Sequence, residues 1–316
     1  MADEKIIAVL GATGAQGGGL VRAITSDKGG AFKARAITRN PDSDKARALA
    51  KLGAEVVAAD VDDEASLRRA FDGAHGAFCV TFFWDHFSAE KEIAEAANMA
   101  KAAKDAGVKH VIWSTLEDTR NWVPLSDTRM PTLQGKYKVP HLDGKGEADA
   151  RFAELGVPTT YLLTSFYWEN FIYFGMGPKK DKDGNLALTL PMGNKKLPSI
   201  AVEDIGKCAY GIFRKGREFI GKRPGIAGEH LTGVQMATAF GRALGKQVSY
   251  KPLTPEQFRG LGFPGADDLG NMFQFYADYE VMFSGARGVE STRALNPALQ
   301  TFDQWLAVNK DRIPID

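Results

Sequence analysis

Apolar residues in the first half of the chain follow two alternating patterns. Short β-branched or continuous apolar runs occupy residues 6–10, 34–38, 55–58, 77–81, 108–114 and 159–163. Between them lie stretches with helical spacing at 15–24, 44–52, 64–71, 89–106 and 142–155. Strands that alternate with helices of this length predict βαβ units and a parallel sheet. The run Ile6-Ile7-Ala8-Val9-Leu10 has no polar alternation, so it predicts a strand covered by helices on both faces.

The rhythm changes after Leu163. An aromatic segment at 166–174 leads into turns rich in Gly and Lys, with short strands expected near 186–190. Helices are expected at 202–213, 234–244 and 266–276, and near 302–308. The division this suggests is a sheet domain over 1–163 and a smaller α+β lobe over 164–316, with later segments able to rejoin the sheet. Ligands of open α/β sheets sit at the carboxyl ends of the strands, where an added lobe would wall a cleft.

The link between the first strand and the first helix reads Gly11-Ala12-Thr13-Gly14-Ala15-Gln16-Gly17. Glycines at this spacing are weak evidence alone, but a strand before and a helix after raise their value. Gly11 permits a tight turn, Gly14 lets the backbone approach a pyrophosphate, and Gly17 lets the helix pack close. The helix N-terminus then faces the anion. The fold class implied is a Rossmann-type, doubly wound α/β sheet that binds a dinucleotide.

A cofactor without a 2′-phosphate usually meets an acidic residue about 20 residues downstream. This chain has Thr38-Arg39-Asn40 there. Arg39 can donate a charge-assisted fork to a 2′-phosphate, so NADP(H) is the expected cofactor. Asn40 and Ser43 flank that position, and Asp42 or Asp44 could instead reach a ribose. Asp60 and Val61 close the third strand, where an adenine contact is expected; an Asp there equally serves as a helix cap. Thr81, Phe82 and Phe83 close the fourth, near an expected nicotinamide ribose.

Composition narrows the partners. The 316 residues carry 40 basic and 39 acidic side chains. Near-neutral charge argues against broad capture of nucleic acid or anionic lipid. Arg214, Lys215, Arg217, Lys222 and Arg223 form a local basic run, read as a solvated face of the C-terminal lobe or a dock for an acidic partner. Cys79 and Cys208 belong to no paired motif, and the five histidines are dispersed, so no metal site is expected. No signal-peptide pattern or apolar run of membrane-spanning length is visible; the expected address is the cytoplasm.

Several segments together resemble a known family. GATGAQGG at 11–18, TRNP at 38–41, HLDGKGE at 141–147, Tyr167-Trp168-Glu169-Asn170 and LGFPGADDLGNMFQFYA at 261–277 are similar to the NmrA-like family of atypical short-chain dehydrogenases, and among them to its NADPH-sensing members. The resemblance runs from about Lys5 to about Lys310. It implies an extended NADP(H)-binding Rossmann domain with a small C-terminal lobe. It also implies cofactor contacts at Gly11 through Gln16, Arg39, Lys145 and Tyr167, Trp168, Glu169 and Asn170. One departure is Ala94, which stands where the sensing members carry a lysine; Lys91 is nearby.

Short-chain dehydrogenases use Tyr-x-x-x-Lys on one helix and a serine from the fifth strand. Here Ser114 and Lys145 occupy two of those positions, and His141 stands where the tyrosine would be. Residues at i and i+4 share a helix face. Two readings stay open. Either His141 or Tyr167 replaces the tyrosine, or Lys145 itself acts as acid, giving an NADPH-dependent reductase of a quinone, ketone or imine. Alternatively, Lys145 only clamps the ribose, and the protein is a redox sensor that acts through conformation, a homodimer or a regulatory protein partner.

Overall fold

In the computed structural model, which describes residues 4–315, the alternating runs form one six-stranded parallel sheet. The elements are β1 (Lys5–Val9), α1 (Ala15–Ser26), β2 (Phe32–Thr38), α2 (Asp44–Lys51), β3 (Glu55–Ala58), α3 (Glu64–Phe71), β4 (Gly76–Cys79), α4 (Ala89–Asp105), β5 (His110–Thr115), α5 (Pro140–Glu154) and β6 (Thr159–Leu163). The strand order is β3-β2-β1-β4-β5-β6, with every neighbour parallel. The order reverses between β1 and β4, which is where a doubly wound sheet opens its crevice.

Two of the six expected strands have the expected bounds, β3 and β6. β4 ends two residues early. It loses a neighbour where β1 turns into the glycine loop, so Val80 and Thr81 lie beyond its pairing with β1 and β5. Ile7, Ala8 and Val9 are fully buried, as a strand covered on both faces requires. Side-chain caps start the next three helices: Ser43 on α2, Asp63 on α3 and Ser88 on α4.

The chain then makes β7 (Phe166–Tyr167), α6 (Asn170–Tyr173), β8 (Lys179–Lys180), β9 (Leu186–Leu188), β10 (Lys196–Ile200), α7 (Val202–Lys215), β11 (Glu229–Thr232) and α8 (Gly233–Leu244). β12 (Val248–Tyr250), α9 (Pro255–Arg259), α10 (Ala266–Asp278), α11 (Glu280–Gly285), α12 (Val289–Leu295) and α13 (Phe302–Asn309) complete it. Two small sheets, β11-β10-β7 and β12-β9-β8, accompany these helices. The sequence pattern does not announce β10, because Pro198 reads as a strand breaker.

The fold divides into two units that interleave along the sequence. The first holds residues up to Asp118, His141–Thr164 and Val202–Pro224; the second holds Thr119–Pro140, Ser165–Ala201 and the chain from Gly225 onward. In the first unit, α7 lies directly on α1. A Cβ on Gly206 would sit 2.1 Å from the Leu20 nitrogen, so only glycine permits this crossing. Arg22 on α1 forks onto Glu203 on α7, and the Tyr210 hydroxyl donates to Asp27 at 2.6 Å. The 214–223 basic run therefore belongs to the sheet unit, not to the C-terminal part. Residues 221–224 cover the outer edge of β6, with the amides of Tyr161 and Leu163 donating to the carbonyls of Lys222 and Pro224. Among the described residues, no helix is long and apolar enough to cross a membrane.

Candidate functional site

The 11–17 loop is shaped by backbone alone. Gly11 has φ +60°, a left-handed conformation that glycine adopts without strain. A Cβ on Gly17 would lie 2.5 Å from the Gly11 carbonyl oxygen and 2.7 Å from that of Leu10. Backbone cannot yield at that distance, so the start of α1 sits tight on the loop only because residue 17 has no side chain. Gly11, Gly14 and Ala15 are exposed, while Ala12, Gln16 and Gly17 are buried and Thr13 is intermediate. Gly14 caps α1 without a side-chain hydrogen bond, unlike the caps of the next three helices. The positive end of α1 is thus left to whatever anion approaches it.

A second centre lies at the end of β4. The Lys145 ammonium, on α5, is 2.8 Å from Glu92 Oε1 on α4. It also donates to Thr81 Oγ1 at 2.5 Å and faces the Thr81 carbonyl at 3.3 Å. The Thr81 hydroxyl in turn donates to Glu92 Oε1 at 2.6 Å. The ammonium also stands 5.5 Å from the Trp113 ring centroid. Glu92 is completely buried, whereas the Lys145 side chain keeps 11% exposure, so a ligand can touch the lysine but not the glutamate.

The glycines beside Lys145 explain its setting. A Cβ on Gly146 would lie 2.4 Å from the Asp118 nitrogen, and one on Gly144 would meet Ala89 Cβ at 3.1 Å and Glu92 Oε2 at 3.2 Å. The Gly-Lys-Gly stretch therefore brings α5 against α4 and the chain after β5. Asp149, one turn later, accepts from Trp113 Nε1 at 2.9 Å and from the Thr115 hydroxyl at 2.7 Å, which locks α5 to β5.

The other expected residues divide between these centres and separate roles. Ser114, nearly fully buried, donates to Gln16 Oε1 at 2.7 Å, so the fifth strand and the glycine loop are tied together. His141 is buried with its ring 4.9 Å from that of Trp84 and 5.9 Å from that of Phe83. Phe82, beside them in sequence, is exposed. Arg39 is exposed at the end of β2 and pairs with Asp85 at 3.2 Å. Asn40 and Asp60 shape turns by accepting from the amides of Asp42 and Asp62, Ser43 caps α2, and the Val61 carbonyl accepts from Asn98. Lys91 is exposed and pairs with Asp62 at 3.0 Å.

Tyr167, Trp168, Glu169 and Asn170 belong to the second unit. Tyr167 ends β7, in register with Ile200. Trp168 has no exposed surface; it donates to Ser199 Oγ at 2.8 Å and packs on Phe302 and Trp305. Its ring is core and presents no face to a ligand. Glu169 accepts from Trp305 Nε1 at 2.9 Å, and Asn170 opens α6.

Sequence reasoning missed Glu92 and its neighbours Glu95 and His86. A signal was present. Residues 92, 96, 99 and 103 make the buried stripe of α4, and a carboxylate occupies the first of these positions. Burial pushes the Glu95 carboxyl up to about 7, with the nearby Asp62 charge adding to it. His86 Nε2 stands 3.5 Å from Glu95, and burial lowers the histidine's pKa.

The model of the NmrA-like family matches residues 3–306. The chain belongs to that family. An NmrA-like family domain-containing oxidoreductase, FrzB of a Cladobotryum species, is 32% identical over 295 residues, covering 85% of this chain and 83% of that protein. NmrA, a negative transcriptional regulator solved in complex with NADP, superposes with a TM-score of 0.77 at 24% identity over 97% of this chain and 95% of that one. The NADPH-dependent quinone oxidoreductase QOR2 of Escherichia coli, complexed with NADPH, gives a TM-score of 0.71 at 24% identity over 96% and 98%. At such identities, these two likenesses speak for the fold alone.

Proposed function

We propose that this protein binds NADP(H) in the first unit and acts as a redox sensor, its dehydrogenase site reduced to a cofactor clamp. The observation that carries the reading is the cradle at Gly11, Gly14 and Gly17. No Cβ fits at Gly17, and α1 opens there without a side-chain cap. Such a cradle suits a pyrophosphate on a helix N-terminus. Arg39 would hold the 2′-phosphate, exchanging its surface pairing with Asp85 for a charge-assisted fork. Lys145 would clamp the nicotinamide ribose. Bound NADPH would supply a hydride.

What the chain itself offers beside that hydride is limited. Two ammonium protons of Lys145 are held by Glu92 Oε1 and Thr81 Oγ1, and the third faces the Thr81 carbonyl at 3.3 Å, the contact a ribose hydroxyl would replace. The Ser114 hydroxyl is committed to Gln16. His141 is packed against Trp84 and Phe83 rather than open to a substrate. These residues hold and orient better than they donate. The redox state of the nicotinamide would then be reported through conformation or association.

The second reading, an NADPH-dependent oxidoreductase of a quinone, ketone or imine using Lys145, His141 or Tyr167, draws on relatives. FrzB carries the name oxidoreductase, and QOR2 is described as a quinone oxidoreductase. The experiment that separates the two is NADPH oxidation by the purified protein with a panel of quinones, ketones and imines. The sensor reading expects NADPH to bind and the absorbance of its reduced nicotinamide to persist. Turnover that Lys145→Ala abolishes would establish the reductase instead.

A further inference from the structure

We propose that Glu92 is a positioning residue, which fixes the Lys145 ammonium where it can clamp a ribose, and that Gly144 is the gap that admits it. The inference rests on the NADP(H) reading above and deepens it.

A free lysine side chain carries rotamer entropy, which any ligand it clamps must offset. Here the ordering is done before a ligand arrives. Three elements converge on one nitrogen: Thr81 beyond β4, Glu92 on α4 and Lys145 on α5. Thr81 is bonded to both partners, so the three side chains form a closed ring of contacts. Gly144 leaves Glu92 room there, since a Cβ on it would stand 3.2 Å from Oε2, tighter than an ordinary contact. Oε2 itself is buried and accepts no hydrogen bond from the described residues. A carboxylate buried this incompletely satisfied is a poor device for stability, since desolvation offsets most of the Coulombic gain. Pre-organisation of the one partner that keeps some exposure accounts for it better.

The test is calorimetric titration of wild type, Glu92→Gln and the charge-neutral double variant Glu92→Gln with Lys145→Met. The ligands are NADPH and 2′,5′-ADP, which has the adenosine and 2′-phosphate but no nicotinamide ribose. Wild type is expected to bind both. Glu92→Gln is expected to weaken NADPH roughly tenfold and 2′,5′-ADP less than about twofold, because only the ribose clamp is disturbed. The double variant removes the unpaired charge, so its melting temperature returns toward wild type while NADPH affinity stays low. This variant keeps the test open if Glu92→Gln folds poorly. Unchanged NADPH affinity in Glu92→Gln overturns the inference. So does a parallel loss of both ligands, or a double variant that regains affinity along with stability. A wild type that binds neither ligand overturns the NADP(H) reading itself.

Discussion

The glycine loop and the lysine centre both lie in the sheet unit, and they are built on opposite principles. The loop achieves its shape by lacking side chains: Gly11 takes a left-handed turn and Gly17 leaves no room for a Cβ. No titratable group stands in it. The lysine centre works through side chains that two glycines let approach, a buried ion pair with Thr81, next to a second carboxyl that burial pushes up to about 7. One is local and indifferent to pH; the other depends on three distant segments and on charge. A binding site can therefore be legible at one end and hidden at the other.

The largest effect that sharpens this contrast is expected from Lys145→Met. It leaves Glu92 buried without its counter-ion, and loss of one partner of a buried pair costs about 3–5 kcal/mol. Urea unfolding measures it; a loss under about 1 kcal/mol would mean that the pair is not buried in solution.

Next in size is a pH effect at Glu95. A carboxyl held above its unfolded value binds its proton more tightly in the folded state. Its contribution is fully present below about pH 4.5 and is lost as pH rises through about 7. Glu95→Gln should remove this decline, so its melting temperature exceeds that of wild type at pH 8 and converges with it near pH 4.5. Parallel curves at all pH values would contradict the shift.

Gly17→Ala should cost about 2 kcal/mol, since the backbone it meets must move. If the loop holds the pyrophosphate, NADPH loses roughly thirtyfold in titration, and 2′,5′-ADP, which keeps the 5′-phosphate of that pyrophosphate, loses affinity too. This is the opposite of the selective loss expected at Glu92. Arg39→Ala should have the smallest effect, about a tenfold loss for NADPH with NADH nearly unchanged, because the guanidinium is exposed and already shares Asp85. Equal losses for both cofactors would remove Arg39 from the 2′-phosphate.

The same contrast explains how far the sequence could be read. The six strands and five crossover helices follow from the alternation of short apolar runs with stretches of helical spacing. The glycine loop follows from spacing, because its constraint is local. β10 escaped because Pro198 hides it, and the return of 202–224 to the sheet unit depends on Gly206 meeting α1 across nearly 190 residues. Lys145 was legible from its place in HLDGKGE. Glu92 was legible only as a carboxylate on the buried stripe of α4, because nothing within α4 itself shows that it meets an ammonium from α5 and a hydroxyl beyond β4. Trp168 misled for the reverse reason: its position near an expected nicotinamide suggested a contact, yet its ring fills a core.

The most direct measurement is a calorimetric titration of the wild-type protein with NADPH, run beside NADH. One NADPH is expected per chain, bound at least roughly tenfold tighter than NADH, as the Arg39 fork requires. Absence of NADPH binding, or equal affinity for the two dinucleotides, would contradict that expectation.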